Sequence, residues 1–382
     1  MDINKSRVAL KRSLVEKLFE INWILLFIVC VLAVIGTVAL YSAAGGNWQP
    51  WAERQAIRFC LAIFGIVLIA IVDIRIWLKF SYLIYFSTLI VLVSVEILGV
   101  FGMGAKRWID LGFVNIQPSE FMKIGLAFAL ARFYHGITVH SQNTISYYMI
   151  PIFLISLPII LVLRQPDLGT AILLLAGGAA LMFIAGVSWL FFISSLIISI
   201  SITPVIWSFL RDYQQDRVLT FLNPEKDPLG AGYHIIQSKI ALGSGGVSGR
   251  GFLQGSQSQL DFIPEMHTDF VFSIIAEEFG LLGSGLVMIL FMLVIILGTI
   301  ISLKSKNHFG KLLASGLTTV IFLYVFSNVA MVMGLMPVVG VPLPLISYGG
   351  TAMLTFMLAV GFIVNVHVHR DVVMDKPGQE DI

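Results

Sequence analysis

Ten apolar runs, most of them long enough to cross a hydrocarbon layer, dominate this sequence and leave few folds open to it. They lie near residues 20–42, 57–74, 77–97, 118–135, 146–163, 169–187, 189–210, 268–303, 312–335 and 347–368. A bilayer core of roughly 30 Å takes about 20 residues of helix, and each backbone N–H and C=O inside it needs a partner. Helices meet that demand within a single segment. The expected fold is therefore an all-α polytopic membrane protein with about ten transmembrane helices. Composition agrees: of 382 residues, 58% are hydrophobic and 12% charged, with mean hydropathy +0.92. Soluble domains sit nearer half apolar and about a quarter charged. Cys30 and Cys60 both fall inside apolar runs, as small hydrophobes rather than a disulfide, and no metal-ligand spacing is present. The net charge of +2 argues neither for nor against nucleic acid.

Orientation follows from Lys and Arg in the short connecting segments. With the N-terminus cytoplasmic, that side holds thirteen of them: Lys5, Arg7, Lys11, Arg12, Lys17, Arg75, Lys79, Arg132, Lys304, Lys306, Lys311, Arg370 and Lys376. The opposite short loops hold five, Arg54, Arg58, Lys106, Arg107 and Arg164. Both termini are expected in the cytoplasm. The chain then reads as one membrane domain over 1–382, with cytoplasmic tails at 1–19 and 369–382. One long extracytoplasmic loop, 211–267, joins helices 7 and 8. The first run is long and followed by others, so it reads as a retained anchor rather than a cleaved leader. The eighth is long enough to project from the bilayer or to break at Gly280-Leu-Leu-Gly-Ser-Gly285.

Ionisable groups at membrane spans are expensive and need a partner or a task. Here they gather in the outer half. Lys106, Arg107 and Asp110 precede span four; Glu120 and Lys123 share a face of its first turns at i,i+3. Arg164 and Asp167 form the turn between spans five and six, and Asp269 opens span eight. Structural ion pairs account for any one of these about as well as function does. The whole set beside a long polar loop favours a solvent-accessible site.

Within that loop, Tyr233, Ile236, Gln237, Ile240 and Ala241 repeat at helical spacing. Gly243-Ser-Gly-Gly-Val-Ser-Gly-Arg-Gly251 follows. Its backbone N–H groups could converge on an anion with Arg250 beside them, or the run could be a flexible turn. Pro264 then breaks any helix, Thr268 is expected to cap span eight, and Asp269 should lie in its first turn. Local physics leaves Asp269 open between an acid favoured by the helix dipole and a carboxylate that takes a proton from a hydroxyl. Ser273 and Glu277 continue roughly along its face; Glu278 does not.

Six blocks together resemble the SEDS family of bacterial cell-wall synthesis, over nearly the whole chain. They are Lys106-Arg-Trp-Ile-Asp-Leu-Gly112 with Gln117-Pro-Ser-Glu-Phe-Met-Lys123, Arg164-Gln-Pro-Asp-Leu-Gly-Thr170, and Gly232-Tyr-His-Ile-Ile-Gln-Ser238. The glycine-rich run, Pro264-Glu-Met-His-Thr-Asp269 and the stretch from Gly334 to Gly350 complete them. The version Val338-Val-Gly-Val-Pro-Leu-Pro344 is more like the elongation (RodA) branch than the division (FtsW) branch. Met266 and Thr351 depart from the family pattern, and no role is carried onto them.

The resemblance implies a peptidoglycan glycosyltransferase that polymerises lipid II on the outer face of the bacterial inner membrane. The implied partners are a class B penicillin-binding protein and other elongation-complex membrane proteins, with no nucleic acid. It also implies that activity depends on Asp269. A base there would deprotonate the acceptor sugar hydroxyl as that oxygen attacks the anomeric carbon. The diphosphate leaving group needs charge stabilisation, which Arg107, Lys123, Lys239, Arg250 or a divalent cation could supply. Trp108, Gln117, Glu120, Asp167, His267, Glu277 and Tyr348 complete the candidate substrate-binding set. The rival functions are a transporter that flips the same lipid, a non-catalytic scaffold, and a division-type polymerase.

Overall fold

The computed structural model describes residues 13–102, 105–110, 112, 115–137, 144–209, 212–223, 231–255, 267–338 and 340–374. The two tails beyond 13 and 374, and the 256–266 stretch that carries Pro264 and Met266, lie outside the described residues. A short helix α1 (Leu14–Phe19) opens on a capping box between Ser13 and Glu16. The bundle follows as α2 (Trp23–Ala43), α3 (Trp51–Ile71), α4 (Ile74–Leu98), α5 (Pro118–His135), α6 (Ser146–Arg164), α7 (Leu168–Ile184) and α8 (Trp189–Phe209). After α9 (Asp212–Leu222) and α10 (Ala231–Ser244) come α11 (Val271–Lys304), α12 (His308–Val332) and α13 (Gly350–Val368). Each expected span has its helix, with ends displaced by a few residues.

Helices α2, α3, α4, α6, α11, α12 and α13 are long and apolar enough to cross a membrane, and α7 and α8 carry shorter apolar stretches. Helix α5 carries Glu120, Lys123 and Arg132, which lower its hydropathy, yet nearly all its side chains are buried. It and α12 and α13 form the interior. Leu, Ile and Phe side chains of α3, α4, α8 and α11 cover the outside, as a hydrocarbon solvent requires.

Contacts sort the helix ends into two sets. Lys17 donates to Ile71 O at 2.8 Å, Asn365 Nδ2 to Val72 O at 2.6 Å, and Lys306 N to Arg370 O at 2.8 Å. Both ends of the described chain therefore lie at one end of the bundle. The loops carrying Arg107, Asp167, Asp269 and Tyr348 lie at the other. Between α4 and α5 the chain forms a small antiparallel sheet that the apolar pattern does not announce. Strand β2 (Ala105–Asp110) pairs with β1 (Val100–Gly102) and β3 (Asn115–Ile116).

Helix α11 breaks where the glycines suggested, at Gly280 (φ 64°, ψ −156°). An α-helix would bond the N–H groups of Leu281 and Leu282 to the carbonyls of Glu277 and Glu278. Instead Leu281 N donates to Gly246 O at 2.9 Å and Leu282 N to Val247 O at 3.1 Å. The two freed carbonyls accept from Arg250 N and Gly251 N, each at 3.0 Å. The glycine-rich run is thus spliced into the helix, and four bonds replace two rungs. It is not a flexible turn, and the N–H groups of Arg250 and Gly251 are committed to α11 rather than open to an anion. Glycine is required here: a Cβ on Gly245 would meet Ala276 O at 1.9 Å, and one on Gly249 would meet Glu278 O at 2.1 Å.

Candidate functional site

Asp269 sits in a turn just ahead of α11, not in its first turn. The helix starts at Val271, with Phe270 at the N-cap position and no side-chain cap, so Thr268 does not cap it. Tertiary bonds fix the turn instead. Asn328 on α12 donates through Nδ2 to Asp269 O at 2.9 Å and to Val341 O at 2.8 Å. Tyr348 N donates to His267 O at 2.8 Å. The Asp269 carboxylate is partly exposed, and a Cβ on Gly340 would lie 3.6 Å from Oδ2. The base candidate therefore borders the segment between α12 and α13. Gln55 on α3 braces that segment by donating to Leu345 O at 2.9 Å.

One helical turn before Asn328 on α12, Tyr324 meets the buried pair from α5. Lys123 Nζ lies 2.6 Å from Glu120 Oε1 and 2.6 Å from the Tyr324 hydroxyl, which itself donates to Glu120 Oε2. All three residues are at most 4% exposed. A buried ion pair tolerates its desolvation only when further hydrogen bonds complete it, and Tyr324 supplies one to each partner. Sequence reasoning found Glu120 and Lys123 but missed Tyr324 and Asn328. The i,i+4 spacing of Tyr324 and Asn328, which puts both on one face of α12, was the available signal.

Asp167 forms the neighbouring polar group. Its carboxylate caps α7, accepting from Thr170 N at 3.2 Å and Thr170 Oγ1 at 2.9 Å, and also accepts from Gln117 Nε2 at 3.2 Å. Arg107 reaches across from β2, 3.9 Å from Asp167 Oδ1 and 3.2 Å from Gln165 O, with a further bond to Pro166 O. Gln117 N donates to Thr351 Oγ1 at 3.3 Å, tying the start of α5 to the start of α13. Arg107, Gln117, Glu120, Lys123, Asp167, Asp269, His267 and Tyr348 are thereby gathered at one end of the bundle.

An aromatic group adjoins Asp269. The His267 ring stacks on Trp51, with centroids 4.3 Å apart and planes at 5°, and Tyr348 lies 6.3 Å from the same imidazole. Trp108 sits half-buried on β2, opposite Val100.

Three candidates stand apart from these contacts. Lys239 is exposed on α10, its chain crossing Gly334. The exposed Arg250 guanidinium leans on Ser244 O at 3.5 Å. Glu277 is fully buried at the splice, and its neighbour Glu278 accepts from Ser42 Oγ of α2. Among the described residues no group of three or more His, Cys, Asp or Glu is placed to hold a metal ion.

The comparisons with known proteins agree on one family. The FtsW/RodA/SpoVE family model, described as a cell cycle protein, matches residues 16–372. The peptidoglycan glycosyltransferase MrdB of Escherichia coli K12 is 42% identical over 349 residues, covering 91% of this chain and 93% of that protein. Among solved structures, a chain of a peptidoglycan synthase complex, studied for how it coordinates polymerization and crosslinking, is 32% identical. It superposes with a TM-score of 0.79, covering 92% of this chain and 98% of its own. The rod shape determining protein RodA of Thermus thermophilus matches with a TM-score of 0.70 at 26% identity, over 92% and 97% of the two chains.

Proposed function

Because the chain belongs to the FtsW/RodA/SpoVE family, we propose that it is a peptidoglycan glycosyltransferase of the elongation type. It polymerises lipid II at the outer face of the bacterial inner membrane. On this reading the end bearing Asp269 faces outward and both termini face the cytoplasm. The observation that carries the mechanism is the placement of Asp269: a carboxylate held by its own backbone, partly open, beside a layer of buried charge.

In the proposed step the acceptor hydroxyl oxygen attacks the donor's anomeric carbon. Its proton passes to the Asp269 carboxylate, and the bond from that carbon to the lipid diphosphate oxygen breaks with both electrons leaving on the oxygen. Asn328 fixes the carboxylate's position through the main chain, so it need not reorganise as the proton arrives. The Glu120–Lys123–Tyr324 group and the Arg107–Asp167 pair supply a fixed field beside the reacting atoms. Lys239 and Arg250, on the flank, are assigned to substrate approach, Trp108 to a sugar face, and Glu277 to support of the α11 break. A class B penicillin-binding protein and other elongation-complex membrane proteins are the proposed partners. The structural kinship with a synthase complex chain supports the first of these.

The test is polymerisation of labelled lipid II by purified protein, alone and with its transpeptidase, in the presence of penicillin. Asp269→Asn should lower the rate by about 10²- to 10⁴-fold, the usual worth of a positioned base. Wild-type rates from that variant would remove Asp269 from the role. Transbilayer movement of lipid II without any polymer would instead favour a transporter.

A further inference from the structure

Arg58 is unlike the other cations at the outer end that are at least half-buried. Lys123 and Arg107 are bound to carboxylates, and Lys106 donates to Glu96 O at 2.7 Å. Arg58 is half-buried on α3, and among the described residues it makes no hydrogen bond and no ion pair. Its position is nevertheless fixed on two sides. The guanidinium carbon lies 5.3 Å from the centroid of the Tyr348 ring. On the other side it lies against Gly350, where a Cβ would come within 2.6 Å of Nη1.

A π face and a bare glycine backbone orient a guanidinium without using its N–H donors. Five donors in a planar fork are left unspent, and that fork matches the oxygens of a phosphate. Leaving such a group half-desolvated is costly unless an anion completes it. Gly350 also begins α13, whose N-cap Gly349 offers no side-chain oxygen to offset the positive helix end. The local field therefore favours negative charge from two directions.

The fork is also close to the proposed chemistry. Tyr348, which holds it, donates its N–H to His267 O and faces the His267 ring, and His267 stands two residues before Asp269. We infer that Arg58 is an anion contact of this site, and that it binds the diphosphate of a membrane-anchored substrate. The inference rests on the glycosyltransferase reading, but it is tested by binding rather than by turnover. The phosphate of an anionic lipid headgroup shares this chemistry, so the experiment separates the two sources.

Purified protein in phosphatidylcholine nanodiscs is titrated with undecaprenyl diphosphate, read by quenching of tryptophan fluorescence and by thermal stabilisation. Arg58→Gln should weaken binding about 10- to 100-fold, the worth of a charged hydrogen-bonded contact. Its unliganded melting temperature should equal that of the wild type. Arg58→Lys should recover part of the affinity, and Asp269→Asn should bind within about twofold of wild type. Adding phosphatidylglycerol to the disc should leave the wild-type affinity unchanged. Wild-type binding by Arg58→Gln overturns the inference, and so does loss of wild-type binding in the phosphatidylglycerol discs, which marks a headgroup site. Full polymerase activity in Asp269→Asn would instead sink the base assignment and leave the binding result intact.

Discussion

The two ends of the bundle use buried polar side chains differently. At the end that holds the termini, they bond to the backbone. Asn365 spans the carbonyls of Ile69, Ala70 and Val72, where α3 stops, and Asn307 caps α12 through Gly310 N. Ser302 reaches Lys311 O at 2.8 Å. These are closures of helix ends, each satisfying groups that a terminating helix leaves unbonded. At the opposite end Asn328 and Gln55 also reach backbone carbonyls, but there charged side chains bond to one another as well: lysine to glutamate and tyrosine, aspartate to glutamine, threonine and arginine. A closure needs only neutral amides. Buried charge is costlier and confers little net stability, and the proposed site accounts for its concentration at one end.

That contrast can be broken by experiment. The largest effect is expected from Lys123→Met, which leaves the Glu120 carboxylate buried without its cation. About 3–5 kcal/mol of stability should be lost, as for a broken buried pair, measured by thermal unfolding in detergent. The double variant Glu120→Gln with Lys123→Met should regain most of that stability yet not polymerise. Recovery of activity by the double variant would make the outer end structural too. Next, Asn365→Ala should cost about 1–3 kcal/mol through its stranded carbonyls, with activity per folded molecule unchanged. Tyr324→Phe keeps the ring and removes only the bridging hydroxyl. Its stability loss should be about 1 kcal/mol, while the polymerisation rate falls at least tenfold; an unchanged rate would detach Tyr324 from the site. Last, Asp371→Asn removes a pair with Lys306 whose side chains are 41% and 63% exposed. It should change stability by less than about 1 kcal/mol.

Much of the fold was legible because the bilayer writes it in long apolar runs. The break in α11 and the α10 helix were visible for the same reason, glycine spacing in one case and helical period in the other. The site was legible only in part. Glu120, Lys123, Asp167 and Asp269 stood out because charge is rare in such company. Tyr324 and Asn328 did not, since either could serve as ordinary interior polarity. The Thr268 cap failed because a local preference worth about 1 kcal/mol gave way to bonds from Asn328 and Tyr348 that no short window contains. The small sheet escaped because its three strands are short and mixed in polarity. The partner of the glycine run lay some thirty residues away, beyond any local signal.

The splice at Gly280 has a consequence for how this chain can change length. Ordinary surface loops accept insertions because nothing counts their residues. Here two separate stretches are read against each other bond by bond, so the loop behaves like one strand of a zipper whose other strand is a membrane helix. A single residue added between Gly246 and Gly251 would put every later bond out of step. It would strand carbonyls of α11 at the edge of hydrocarbon, at several kcal/mol for each group left bare. The most loop-like sequence in the protein is therefore among its least editable, and variation should accumulate on either side of it.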